Sequence, residues 1–323
     1  MYLVTGATGL LGNNIVRELL ARGERVRVYD RSPQRRAELV GLEVDVFRGE
    51  LDDPIALGAA AEDCQAVIHS AALIHIGYTR LEEARRVNVQ GTANVAIVCR
   101  QQGVRLIYVS TVDTLPTAQS AAQPLDEIAS GIANIACTYT ISKSEAEAVV
   151  TAAIAQGLDG VIVHPGLMLG PYDWKPSSGA MMLAVDRAPT VVAPRGSTSV
   201  CDARDVARAI ANAIRAGRTG EHYILAGYNL SYPELCRRML QVMGQKKRVF
   251  RMGPVIPAAA RLVDAWSRIS GSRERLFNGA AIAMGRLQHC YDSTKAQREQ
   301  NYDRRPLEET LADAWSWLRE RFR

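Results

Sequence analysis

The chain has 323 residues, 47% of them apolar and 23% charged, the composition of a globular protein able to bury a full-sized core. Its net charge of +5 is carried largely by arginines scattered over helices and turns, with no basic stripe interleaved with aromatics, which speaks against a nucleic-acid binder. Cysteines at 64, 99, 137, 201, 236 and 290 lack the spacing of a metal knuckle or redox pair, and no apolar run is long enough to span a membrane.

The chain opens on an apolar strand, Tyr2–Thr5. With a strand starting at once, no signal peptide is expected, and the cytoplasm is the expected location. The turn Gly6-Ala7-Thr8-Gly9-Leu10-Leu11-Gly12 follows, and then an amphipathic helix from Gly12 to Arg22. The glycines sit three apart. The first permits a tight turn, the second lets a pyrophosphate approach the backbone, and the third lets the helix pack on the sheet. Free N–H groups of the first helical turn then face the phosphates. Strand, glycine turn and helix together point to a nucleotide.

Further strands are predicted at Val26–Tyr29, Val44–Arg48, Ala66–Ser70, Arg105–Ser110 and Gly160–His164. Helices are predicted at Pro33–Val40, Pro54–Ala61, Leu81–Gln102 and Tyr139–Gln156. The strands are short, rich in Val and Ile, and lack polar alternation, as strands covered on both faces do. Alternating strands and helices predict a doubly wound, parallel α/β sheet of the Rossmann type, with ligand at the carboxyl ends of the strands.

After Pro165 the texture changes. Residues 170–200 read as a loop or lid with a helix near 178–187. A helix over Asp202–Arg215 and a strand over His222–Ala226 follow, and the chain is mostly helical from Tyr232. The expected organisation is a dinucleotide domain over 1–165 plus about 199–227. A smaller, mainly helical substrate domain over about 166–198 and 228–323 is interwoven with it.

Asp30 ends the second strand, where a carboxylate can bind both adenosine ribose hydroxyls of NAD. Arg31, Arg35 and Arg36 follow and suit a 2′-phosphate. NAD is favoured, with NADP left open. In Tyr139-Thr140-Ile141-Ser142-Lys143, phenol and ammonium share one helix face. An ammonium beside a phenol lowers its pKa, so Tyr139 is a candidate for proton transfer at neutral pH. His69, His75, His222 and His289 show no metal spacing, and His164 reads as a structural core residue.

Taken together, Thr5-Gly6-x-x-Gly9-x-x-Gly12, Val67-Ile68-His69-Ser70-Ala71-Ala72, Asn88-Val89-Gln90-Gly91-Thr92, Tyr108-Val109-Ser110-Thr111, Tyr139-x-x-x-Lys143 and Pro165-Gly166-x-x-x-Gly170-Pro171 resemble an extended short-chain dehydrogenase/reductase of the NAD-dependent epimerase/dehydratase superfamily. The likeness spans essentially the whole chain and is greatest to the dihydroflavonol reductase and 3β-hydroxysteroid dehydrogenase branch. It implies Tyr139 as general acid/base on a carbonyl or alcohol, and Lys143 on the nicotinamide ribose. It implies Thr111 as the hydroxyl that binds the substrate oxygen, with Ser110 the alternative. Asn88 is expected to bond backbone behind the site. Gly6, Thr8, Gly9, Leu10, Leu11, Gly12, Asp30, Arg31, Glu50, Leu51, Ala71, Ala72, Tyr139, Lys143, Pro165, Leu167 and Met168 would line the cofactor, Glu50 standing where the family usually has Asp. A homodimer through the Leu81–Gln102 and Tyr139–Gln156 helices is a further family expectation.

Sugar-nucleotide epimerases and dehydratases share this fold and the Tyr–Lys pair. They usually carry an Asn in the segment that here reads Gly166-Leu167-Met168-Leu169-Gly170-Pro171, and a Tyr-Gly pair where Val112-Asp113-Thr114-Leu115-Pro116 stands. Both departures favour hydride transfer on a small, largely apolar secondary alcohol, ketone or aldehyde over an epimerase or dehydratase with tightly held NAD. An intact Tyr139–Lys143 pair ranks a non-catalytic dinucleotide sensor last. Substrate contacts are expected from His75, Tyr78, Asp113, Trp174 and Met181, within a mostly apolar set that adds Leu73, Ile76 and Met182. The apolar stretch Pro254–Ile269 covers the pocket or, as the alternative, touches a membrane surface.

Overall fold

In the computed structural model, which describes residues 1–32, 37–253 and 278–323, the first half of the chain builds a seven-stranded sheet. Its strands are β1 (Tyr2–Thr5), β2 (Val26–Asp30), β3 (Asp45–Arg48), β4 (Ala66–His69), β5 (Arg105–Val109), β6 (Gly160–Pro165) and β10 (His222–Leu225). They lie in the order β3-β2-β1-β4-β5-β6-β10, and every pairing is parallel. The chain leaves β1 toward one edge and returns at β4 toward the other. That reversal opens a crevice at the carboxyl ends of β1 and β4, the binding place of doubly wound sheets.

Each face of the sheet has its own helices. Ile15, Val16 and Leu19 of α1 (Leu10–Ala21) and Val206 and Ile210 of α7 (Ala203–Ala216) are buried against one face. Leu57 of α2 (Pro54–Ala61), Val95 and Cys99 of α4 (Gly91–Gln102) and Ala146 and Val150 of α5 (Thr138–Ala155) cover the other. The sequence places the stops and starts locally. Pro54 opens α2 behind an Asp53 carboxylate that accepts from the amides of Ile55 and Ala56, Asp202 caps α7 through the amide of Arg204, and Gly103 closes α4 in the left-handed conformation.

The predicted helix over Leu81–Gln102 is not uniform. After a short α3 (Leu81–Ala84), residues Arg85–Gln90 form a π-helical turn before α4. Asn88 sits in that wider turn, and its side chain accepts from the amide of Leu73 at 2.7 Å and donates to the Leu73 carbonyl at 3.0 Å and to Ser142 Oγ at 2.9 Å. This clamps the segment after β4 onto α5, a role that suits the local widening. The predicted helix over Pro33–Val40 is described only from Ala37 to Leu39, as a single 3-10 turn. Arg35 and Arg36 lie outside the described residues, as does the segment 254–269.

Beyond β6 the chain holds more strand than periodicity indicates. β7 (Leu167–Leu169), β9 (Ser197–Asp202) and β11 (Tyr228–Ser231) form one small sheet, and β8 (Val191–Ala193) pairs with β12 (Val249–Arg251). With α6 (Gly179–Arg187), α8 (Tyr232–Val242) and the C-terminal helix Leu307–Phe322 they enclose a separate core that includes Met182, Leu235, Met239, Leu311 and Trp315. Among the described residues no helix is long and apolar enough to cross a membrane.

Candidate active site

The glycine turn is built by close approach. Gly6 has φ +73°, and a Cβ there would lie 2.7 Å from the amide nitrogen of Ala71. A Cβ on Gly12 would lie 2.1 Å from the carbonyl oxygen of Gly6, so α1 seats directly on the turn. Gly9 differs. A Cβ there would meet only the Gly6 carbonyl, at 3.4 Å, and the residue is exposed. Gly9 is also the N-cap of α1 and has no side-chain cap, so the first-turn amides remain available to an anion. Thr8 is half-buried beside it, while Leu10 and Leu11 are buried, Leu11 in the sheet core.

The rest of the expected cofactor cradle follows the carboxyl edge of the sheet. Asp30 ends β2, and its Oδ1 accepts from the amide of Ser32 at 2.8 Å; Arg31 is exposed beside it. Glu50 is exposed, its carbonyl accepting from the Tyr29 hydroxyl at 2.8 Å, and the Leu51 carbonyl accepts from Asn94 at 2.8 Å. Ala71 reaches Thr5 Oγ1 through its amide at 3.3 Å, and Ala72 is half-buried next to it. Pro165 ends β6, and Leu167 and Met168 lie on β7.

Tyr139 and Lys143 occupy the first turns of α5. Tyr139 packs with Tyr78 and Ile135 against buried Cys137, Ala280 and Met284, and its phenol neighbours the Thr111 hydroxyl. Thr111 Oγ1 donates in turn to Asp113 Oδ2 at 3.1 Å. The adjacent Ser110 hydroxyl is turned away and donates to Glu147. Of the two neighbouring hydroxyls, Thr111 is therefore the one that meets the phenol.

One electrostatic expectation is reversed. The Lys143 ammonium is not spent on Tyr139; Nζ donates to Tyr108 Oη at 2.8 Å and to the Val109 carbonyl at 2.8 Å. Burial pushes the Tyr139 phenol well above its ordinary range, the Asp113 carboxylate adds to the rise, and the Thr111 hydrogen bond works against it. Burial also lowers Lys143 to about 7, with Glu147 opposing. Helical spacing places the two groups on one face, but the lysine stem selects the carbonyl and phenol of β5 as partners.

Tyr108, quoted in the sequence only as part of a strand motif, anchors a buried polar chain. Its hydroxyl neighbours Thr92, Thr92 Oγ1 lies 3.0 Å from His69 Nε2, and His69 Nδ1 lies 2.7 Å from Thr5 Oγ1. The chain thus joins Lys143 to the strand that enters the glycine turn. Replacing Tyr108 with Phe strips the buried Lys143 ammonium of one of its two hydrogen-bond partners. It is expected to lower stability by about 1–3 kcal/mol, measurable by urea unfolding, while a drop below about 0.5 kcal/mol contradicts this role.

A second cluster lies behind Thr111. Glu147 accepts from Ser110 and, at 2.9 Å, from Thr114; His164 Nδ1 lies 3.1 Å from the Thr111 carbonyl, and its Nε2 lies 2.9 Å from His222 Nδ1. Burial lowers His69 to about 3 and His164 to about 4. Both are held neutral in the fold, so below the ordinary histidine pKa the unfolded chain binds more protons. Stability is full above about pH 6.5 and falls as pH drops toward about 4, by up to ~1.4 kcal/mol per pH unit for each histidine. Unfolding free energies that stay level between about pH 7 and pH 5 contradict this.

The expected substrate contacts divide. Tyr78 and Asp113 join Tyr139 and Thr111, and His75 bonds Thr79 at 3.1 Å in the segment after β4. Trp174 instead packs edge-on against Trp317 at 5.0 Å, under the Arg321 guanidinium at 4.1 Å. Met181 joins the core around Met182. His289, which carried no signal in the sequence because its partners are distant in the chain, reaches Asp113: its Nε2 lies 3.7 Å from Asp113 Oδ1.

A parallel sheet with a glycine cradle at its switch point and a Thr–Tyr–Lys set beside it defines a dinucleotide-dependent enzyme of the extended short-chain dehydrogenase/reductase class. The chain belongs to the NAD dependent epimerase/dehydratase family, matched over residues 2–226. It is 28% identical to a dihydroflavonol 4-reductase-like protein of Synechocystis sp., over 98% of this chain and 94% of that one. It is 26% identical to the 3 beta-hydroxysteroid dehydrogenase/Delta 5-->4-isomerase of Mycobacterium tuberculosis, over 93% of this chain and 85% of that one. Its fold superposes on the crystal structure of gox2253 with a TM-score of 0.85 at 30% identity, covering 100% of this chain and 99% of that one.

Proposed function

We propose that the chain is an NAD(P)-dependent oxidoreductase acting on a secondary alcohol or ketone of a small, largely apolar substrate, with Tyr139 as general acid/base. One observation carries this reading: the Tyr139 phenol meets the Thr111 hydroxyl beside an apolar wall of Tyr78, Ile135, Cys137 and Met284. A carbonyl oxygen there can accept from the Tyr139 phenol, and from Thr111 once that hydroxyl turns from Asp113, while an apolar skeleton lies on the wall. The related dihydroflavonol reductase and steroid dehydrogenase carry names that fit such substrates.

The open Gly9 position and uncapped α1 amides suit a pyrophosphate. The Asp30 carboxylate at the end of β2 suits the ribose hydroxyls, while Arg31 beside it keeps NADP in play. Lys143 would turn from Tyr108 toward the nicotinamide ribose. The cofactor supplies the hydride and, when oxidised, a positive charge. That charge opposes the rise that burial imposes on the phenol. Asn88 keeps the segment after β4 in place, and Thr111 holds the substrate oxygen within reach of the Tyr139 proton.

The test is nicotinamide absorbance with NAD(H) and NADP(H) against dihydroflavonols, 3-ketosteroids, 3-oxoalkanoates and the matching alcohols, with UDP- and dTDP-sugars as a further arm. Turnover of an apolar ketone or alcohol supports the reading. Conversion of nucleotide sugars alone, with cofactor retained through purification, replaces it with an epimerase or dehydratase.

A further inference from the structure

Thr111 connects Tyr139 to a second acid–base pair. Its Oγ1 donates to Asp113 Oδ2 at 3.1 Å, and Asp113 Oδ1 lies 3.7 Å from His289 Nε2. Asn134 orients the imidazole. Its Oδ1 accepts from the amide of Ile135 at 2.8 Å, which assigns the amide, and its Nδ2 donates to the Asp113 carbonyl at 3.0 Å and faces His289 Nε2 at 3.2 Å. Nε2 is thereby an acceptor, and the ring proton resides on Nδ1. That Nδ1 is buried and has no hydrogen-bond partner among the described residues.

The hydrogen bonds have a direction. Thr111 gives its proton to Asp113 Oδ2 and accepts from the Asp113 amide at 3.2 Å, which leaves one lone pair that can accept from the phenol. The Asp113 carboxylate faces Tyr139 of α5, Tyr232 of α8, and Tyr291 and His289 of the strand-like segment after 284. Cys137 adjoins Tyr139 and Cys290 adjoins Tyr291. Of these groups only the imidazole becomes a cation on taking a proton. Burial lowers its pKa, with Asp113 opposing, so the neutral, proton-accepting form is the resting one.

We propose that Asp113 and His289 form a proton-accepting pair that serves Tyr139 through the Thr111 hydroxyl. This rests on the role of Tyr139 proposed above. Thr111 passes its proton to Asp113 Oδ2 and takes that of the phenol; the carboxylic acid so formed turns about its Cβ–Cγ bond to hand that proton to His289 Nε2, which Asn134 releases. One proton has moved, leaving a Tyr139 phenolate and a His289 imidazolium. The phenolate is then the base for a substrate hydroxyl, and the reverse sequence returns the proton when a ketone is reduced.

The test uses the full chain with tyrosines isotope-labelled at Cζ and histidines at Cε1, read by NMR across pH without substrate. The Tyr139 and His289 signals are assigned by their loss in Tyr139→Phe and His289→Gln. The Tyr139 signal is expected to step where His289 titrates, and the step is expected to vanish in Asp113→Asn and His289→Gln. It is also expected to vanish in Thr111→Val, which keeps both charges but removes the connecting bond. A Tyr139 signal level through the His289 titration, or a step that survives Thr111→Val, overturns the pair. If His289→Gln does not fold, Asp113→Asn and Thr111→Val carry the comparison. With the best alcohol of the panel, Asp113→Asn is expected to lower kcat for oxidation at least about tenfold and flatten its pH profile, with dinucleotide Kd unchanged. An unchanged profile also overturns the pair, whereas a wild-type protein inert toward every alcohol overturns the proposed function and leaves the NMR step to decide the pair.

Discussion

Tyr139→Phe is expected to lower turnover about a thousand-fold with dinucleotide affinity unchanged. The substitution removes one oxygen from a ring already packed with Tyr78, Ile135 and Met284, so the wall of the pocket survives. Thr111 loses a hydrogen-bond partner but keeps Asp113. Among the described residues the lost group is the one phenol placed beside Thr111; the Asp113 amide also donates to Thr111 Oγ1, at 3.2 Å, but an amide is no acid. Steady-state kinetics with the active substrate of the panel, together with dinucleotide binding by fluorescence, separate the outcomes. A loss below about tenfold excludes Tyr139 as the general acid/base. A comparable loss of dinucleotide affinity reassigns it to binding.

Alanine at Gly9 and at Gly12 should fail in opposite ways. Gly9 has φ −87° and ψ 168°, ordinary extended backbone that alanine adopts freely, and its new methyl would touch only the Gly6 carbonyl at 3.4 Å. Stability should stay within about 0.5 kcal/mol of wild type. The methyl would nonetheless stand over the exposed turn where a pyrophosphate must reach the α1 amides, and dinucleotide affinity should fall at least about tenfold. Gly12→Ala puts a methyl 2.1 Å from the Gly6 carbonyl oxygen. The gain in helix propensity, about 1 kcal/mol, does not offset a displacement of the turn that costs about 3 kcal/mol. Gly12→Ala should therefore melt several degrees lower as well as bind poorly. Equal melting temperatures for the two variants would refute the assignment of packing to Gly12 and ligand approach to Gly9.

The parallel sheet was legible because its strands are continuous apolar runs. Burial on both faces leaves no room for alternation, and each strand ends in a short turn. The glycine turn was legible for a related reason, since backbone approach demands residues without a Cβ at fixed spacing. The strands after β6 were not. Leu167–Leu169 and Val191–Ala193 are three residues long, too short to show a period. Ser197–Asp202 is buried throughout yet rich in Ser and Thr, so its polarity conceals its burial. Trp174 and Met181 resemble pocket residues in composition, yet their neighbours are Trp317, Arg321 and the core around Met182, which enter from elements remote in the chain.

Thr111, Tyr139 and Lys143 stand in the sequence as motifs, and local spacing is enough to bring phenol and ammonium onto one face of α5. Which partner each side chain takes is set by elements that meet only in the folded chain. β5 supplies Tyr108 and the Val109 carbonyl to Lys143, and the segment after 284 supplies His289 to Asp113. Sequence by itself determined the class of fold and the motifs of the glycine turn and the Tyr139–Lys143 pair, because those follow from backbone sterics and helical repeat. Tertiary structure alone decided that Thr111 rather than Ser110 meets Tyr139, and that the phenol's pKa rises in this state rather than falls. Hydrogen-bond choice and desolvation depend on atoms brought together from across the chain, which no local pattern records.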